Sequence, residues 1–157
     1  MSAEIHNLVS RKNIGSAQGL LQSLVPRAQC FCFYGLDRHC DWSSDGVDDY
    51  EIDNFVAELP DDFVAGVSED SEYLRRTLTS GRTVLVMPVY ADEKQGLGIL
   101  VAVFSKNAGK SSWFNPSLLH GILQPATRMI GDSWQSSQAL KRLESRAALA
   151  ESELKLV

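Results

Sequence analysis

The last forty or so residues carry apolar or small residues at an unbroken spacing of three and four, a run longer than one domain of this size needs. The line reads Leu119, Ile122, Ala126, Met129, Ser133, Ser136, Leu140, Leu143, Ala147, Ala150, Leu154, Val157. Its spacing averages about 3.5 residues, the repeat that keeps one stripe of a helix facing a partner helix. With Leu140, Ala147 and Leu154 at the first core position, Arg146 falls at g and Glu151 at the following e. A parallel dimer sets those opposite charges against each other across the seam. The expected seam is therefore Leu140, Leu143, Arg146, Ala147, Ala150, Glu151 and Leu154. The chain reaches Val157 still in register and without a glycine stop, so the helix reads as a connector and the chain as the front part of something longer.

At 157 residues the chain has room for one domain with a real core plus this extension. A net charge of -5 argues against nucleic acid or an anionic membrane as the main partner, because both reward clustered Lys and Arg. No apolar run approaches the roughly 20 residues that span a bilayer, and residues 1–13 lack the pattern of a signal peptide. Three cysteines, an odd number, suit a reducing cytoplasm better than a disulfide framework. The expected localisation is cytoplasmic.

Residues from Ala3 to about Val25 read as a helix closed by Pro26. The aromatic-rich stretch Gln29–Leu36 reads as a buried strand, and Cys40–Ser44 returns after a polar turn at Asp37–His39. Asp48–Leu59 has an acidic first turn and an apolar stripe, so it reads as an amphipathic helix stopped by Pro60. Ser71–Ser80, with Tyr73, Leu74 and Leu78, predicts a second short helix. Thr83–Tyr90 and Leu97–Ser105 form the strongest hairpin, and Asn115-Pro116 caps the last helix. Antiparallel pairs with helices set apart from them indicate an α+β fold.

Several clusters invite chemistry. Cys30 and Cys32 share a strand face, but with Leu36 opposite Cys40 the third thiol sits roughly 13 Å from Cys32, too far for shared metal ligation. Asp45, Asp48, Asp49, Glu51 and Asp53 lack the spacing of a calcium loop and fit a helix N-terminus. Gly96 and Gly98 open a strand, so turn geometry explains them better than a phosphate loop. His6, His39 and His120 fall in separate elements with no nucleophile elbow. No metal, cofactor or catalytic residue is expected. Aromatics remain. Tyr34 and Trp42 become neighbours on one face under that hairpin register, beside a loop containing Asp45. Tyr73, Met87, Tyr90 and Phe104 would complete the walls of a small-ligand cavity, or all of them are plain core.

The order of elements, with GLLQSLVPRAQ, CFCFYGLD, RTVLVMPVY, GLGILVAVFSK and WFNPSLLHGILQPATRMIGDSW, resembles a GAF domain over roughly residues 16–136. WSSDGVDDYEI and LKRLESRAALAESELKLV are similar to the N-terminal regions of cyclic-di-GMP signalling proteins. The resemblance implies an antiparallel sheet with the first and last helices on one face, and a last helix that extends into a parallel coiled coil. It divides the chain into a GAF-like sensory domain, 1–136, and a coiled-coil connector, 137–157. It also implies a non-catalytic sensory and dimerisation domain: a homodimer, with an unidentified small ligand, regulating a covalently linked cyclic-di-GMP cyclase or phosphodiesterase. A ligand-free structural dimer and a thiol-dependent reductase are the alternatives.

Overall fold

The computed structural model describes residues 19–46, 49–65, 73–90 and 96–155, apart from the side chains at 134, 137, 138 and 151–155. Most of the expected first helix lies outside those residues, and its end, 19–24, is helical (α1). Strands β1 (Cys30–Gly35) and β2 (Cys40–Ser43) follow, then helices α2 (Tyr50–Ala57) and α3 (Asp61–Val64). Strands β3 (Leu74–Thr77), β4 (Arg82–Tyr90) and β5 (Gly96–Lys106) lead to helix α4 (Pro116–Lys155). The strands form one five-stranded antiparallel sheet in the order β2-β1-β5-β4-β3. The class is α+β.

Strand alternation divides the core between two faces. Phe31, Phe33, Leu85, Met87, Leu100, Ala102 and Phe104 pack with Leu21 and Val25 at α1 and with Leu119, Leu123, Ala126 and Ile130 of α4. Cys30, Cys32, Tyr34, Val84, Val86, Ile99, Val101 and Val103 face the other way, against Ile52 and Val56 of α2 and Phe63 and Val64 of α3. With both faces covered, β1, β4 and β5 read as nearly continuous apolar runs.

Asp49 caps α2 by accepting the Ile52 N–H at 3.2 Å. Asn115 caps α4: its side chain accepts from Leu118 N–H at 3.2 Å and its carbonyl from Leu119 N–H at 2.9 Å. Along the first half of α4 the fully buried line is Leu119, Leu123, Ala126, Ile130. Ile122 and Met129, which the heptad reading placed on the seam, flank that line half-buried against the sheet.

Two expectations are corrected. Residues 74–77 form a strand, paired Leu74↔Val86 through Thr77↔Thr83, and not a helix. Leu74 and Leu78 are four residues apart, a spacing that satisfies both a helix face and alternate strand positions; the exposed edge of β4 decides between them. The first hairpin also turns one residue earlier than expected. Gly35 N–H donates to His39 O at 3.1 Å, Arg38 adopts a left-handed φ of 65°, and Tyr34 rather than Leu36 faces Cys40. A bulge then pairs Phe33 with Trp42, so Trp42 joins the α4 face while Tyr34 lies under α2. Among the described residues no helix is long and apolar enough to cross a membrane.

Candidate functional site

The seven residues expected to line a ligand cavity do not converge. The Tyr34 hydroxyl donates to Asp53 on α2, and burial, reinforced by that carboxylate, pushes its pKa up. Met87 and Phe104 are fully buried on the opposite face of the sheet, where Trp42 and Tyr73 pack partly buried. Phe104 sits in an aromatic cluster, 5.1 Å edge-on to Phe114 and 5.8 Å from Trp113. Tyr73 lies 5.1 Å from the buried His120 ring. Tyr90 is exposed at the end of β4, and the exposed Asp45 accepts a 2.5 Å hydrogen bond from Ser43. The sheet itself separates Tyr34 from Trp42, Tyr73, Met87 and Phe104. A one-residue bulge, invisible in residue spacing, moved Trp42 across it.

The same register change gathers the cysteines. Cys30, Cys32 and Cys40 all lie on the α2 face, with Cys40 opposite Tyr34 and so two strand positions from Cys32 rather than four. The hydrogen bond between Cys30 and Cys32 lowers the Cys30 thiol and, with burial, pushes the Cys32 thiol up, while burial raises Cys40. Cys32 and Cys40, held protonated beneath α2, are poor nucleophiles. Among the described residues no three His, Cys, Asp or Glu side chains are grouped to hold a metal ion.

The acidic start of α2 is explained by a partner the sequence did not reveal. Arg82, at the head of β4, donates to Asp49 at 2.7 and 3.2 Å and to Glu51 at 2.8 Å. Glu51 also accepts from the Ser80 hydroxyl at 2.6 Å and its N–H at 3.0 Å. Arg82 holds the Asp49 carboxyl below the usual carboxylate range, and Ser80 with Arg82 does the same for Glu51. Because both carboxyls are depressed in the folded chain, their contribution is full above their ordinary values of 3.8 and 4.5 and is lost as pH falls through the lower folded values. Arg82→Ala is therefore expected to lower the melting temperature at pH 7, with the gap to wild type closing as thermal melts are taken toward pH 3. A gap of constant size would show that packing, not the ion pairs, sets the effect. At the other end of α2, Arg38 donates to the last carbonyls, Val56 O at 3.2 Å and Ala57 O at 2.6 Å, and pairs with Asp61. The helix is clamped at both ends.

Two surfaces remain open on this frame. Beside α2 lies a cleft of about 570 Å³, lined by Glu51, Asn54, Phe55, Glu58, Thr77, Leu78 and Thr79, along the edge of β3 that pairs with no other strand among the described residues. Beyond Gly131, α4 leaves the sheet, and Leu140 and Leu143 are 43% and 61% exposed in a mostly polar stretch. Arg146, Ala147 and Ala150 are exposed as well. The side chains of Glu151 and Leu154 lie outside the described residues.

No family model matches the chain, and no curated protein matches it in sequence. A solved structure does match in fold. Myxococcus xanthus MglB superposes with a TM-score of 0.50 at 8% identity, covering 77% of this chain and 96% of that one. At that identity the likeness is one of architecture, the roadblock/longin-like α+β fold. It overturns the GAF expectation, and the cyclic-di-GMP connection drawn from that resemblance falls with it. The misreading has a physical source. A helix–hairpin–helix–hairpin–helix order is common to many α+β domains, and missing β3 turned a three-stranded meander into a hairpin.

Proposed function

We propose that this chain is a non-catalytic dimerisation domain whose last helix pairs with that of a second copy and couples the α+β head to a covalently linked output domain. The observation that carries this reading is the second half of α4, a helix clear of the sheet with Leu140 and Leu143 exposed at heptad spacing. An exposed leucine seam on a polar helix loses its contact with water when it meets its twin. The Arg146 and Glu151 positions favour a parallel partner. Repacking of α4 against the sheet would then be felt along the pair, provided the two packings differ in affinity for whatever triggers the change.

Burial of Phe104 and Met87 and the separation of Tyr34 from Trp42 favour a module without a bound small molecule over a ligand sensor. Burial of Cys30 and Cys32 in the apolar layer under α2 weighs against a thiol-dependent reductase. Native mass spectrometry of freshly purified protein tests the ligand question, since a retained metabolite would restore the sensor reading.

Sedimentation of the whole chain tests the pairing. Wild type is expected to be dimeric at micromolar concentration, and Leu140→Glu/Leu143→Glu is expected to weaken the dimer about a hundredfold or more. A wild-type monomer, or a dimer indifferent to the double substitution, removes the proposal.

A further inference from the structure

Independently of α4, the sheet carries one cluster of soft donor atoms. Cys30 and Cys32 stand two residues apart on β1 and face the same way, in the apolar layer with Ile52 and Val56. They are 6% and 4% exposed, so an ion held there is shielded from water and from competing ligands. The two thiols hydrogen-bond to each other, which sets a proton between two sulfurs. Cys40 turns its thiol to the Trp42 carbonyl instead, at 3.4 Å.

Two sulfurs without a third ligand select the ion. Among the described residues no group of three His, Cys, Asp or Glu is placed to hold a metal, which disfavours Zn(II) with its four donors. Calcium and magnesium require several oxygens. Soft thiolates select Cu(I), and two of them in a line satisfy that ion. A linear S–Cu–S unit spans two metal–thiolate bonds of about 2.3 Å each. The pair brackets that length: its sulfurs are in hydrogen-bond contact, while Cα atoms two strand positions apart are separated by roughly 6.6 Å. Side-chain rotation covers the difference without moving β1. Asp45 and Asp49 act on Cys30 electrostatically and favour the approach of a cation, and Arg82, which also acts on it, offsets the negative charge of a bound bis-thiolate.

We propose that Cys30 and Cys32 form a two-coordinate site for Cu(I), with β1 supplying both ligands. The thiol protons leave to solvent as the two S–Cu bonds form, and copper stays monovalent, so no oxidant or reductant is consumed. The ion takes the place that the shared proton holds in the empty pair.

The test titrates the whole reduced chain, under nitrogen, into Cu(I) held as its coloured bicinchoninate complex. The chain is expected to withdraw one copper, and X-ray absorption of the loaded wild type is expected to show two sulfur neighbours. That coordination number is read without any variant. Cys30→Ala and Cys32→Ala are each expected to weaken Cu(I) binding about a hundredfold or more, and Cys40→Ala to leave it within about twofold. Copper is also expected to raise the melting temperature of wild type and Cys40→Ala but not of Cys32→Ala. A chain that takes no copper from bicinchoninate overturns the proposal. So do three sulfur neighbours, a loss of binding in Cys40→Ala, or a Cys30→Ala/Cys32→Ala chain that binds copper as wild type does. Retention of one Zn(II) per wild-type chain through desalting, lost in that double variant, would assign the thiols to a larger ligand set and overturn it as well.

Discussion

Truncation of Phe104 to alanine is expected to destabilise the chain by about 3–5 kcal/mol, the range for a fully buried aromatic whose cavity cannot collapse. Phe104 is inaccessible to solvent, wedged between the sheet and the Trp113–Phe114 corner. Arg27 over the Trp113 ring and Arg75 over the Phe114 ring hold that corner from outside, at 4.8 and 5.3 Å. Neighbours pinned in this way have little freedom to fill the space left by the ring. Urea unfolding followed by tryptophan fluorescence measures the loss. A loss below about 1 kcal/mol would mean that Phe104 lines an open cavity, and the ligand reading of this face would return.

Gly98→Ala is expected to cost about 3 kcal/mol or more, enough to unfold a marginal domain. Gly98 has φ of +145°, and a β-carbon there would stand 2.0 Å from the Tyr34 carbonyl oxygen and 2.9 Å from Gly35 Cα. The atoms in the way are backbone, not a flexible side chain, so relief requires β1 and β5 to separate at the centre of the sheet. The glycine serves a register shift: Val89 pairs with Gly98 and Tyr90 with Gly96, which leaves Leu97 as the extra residue and turns it into the α4-side core. Gly121→Ala supplies the contrast. Nothing lies within 4 Å of a β-carbon there, and alanine in a helix interior is expected to stabilise by about 0.5–1 kcal/mol. Equal melting temperatures for the two variants would refute this account of the bulge.

Much of the frame was legible in the residues. The apolar runs at 83–90 and 97–105 announced β4 and β5, and the acidic turn before Ile52, Phe55 and Val56 announced α2. Asn115-Pro116 marked the start of α4. These signals are local, carried by capping groups and by periodicity within one element. The leucine spacing after Ser136 is local in the same way, and in the structure Leu140 and Leu143 stand exposed on α4.

What residue order did not disclose was long-range. Arg82 gives no sign in the sequence that it will clamp Asp49 and Glu51, 33 and 31 positions away. Leu74 and Leu78 fit two periodicities, and only the vacant edge of β4 made them a strand. Trp42 and Tyr34 stood on one face by counting and on opposite faces once a single bulge intervened. Periodicity, caps and charge balance determine which segments are helix or strand and which stripe is apolar, because those depend on neighbours within a turn or two. Strand register, the partners of Arg38 and Arg82 and the place of β3 at the edge of the described sheet were decided only by tertiary packing, because a bulge or an edge exists only once separate segments have met.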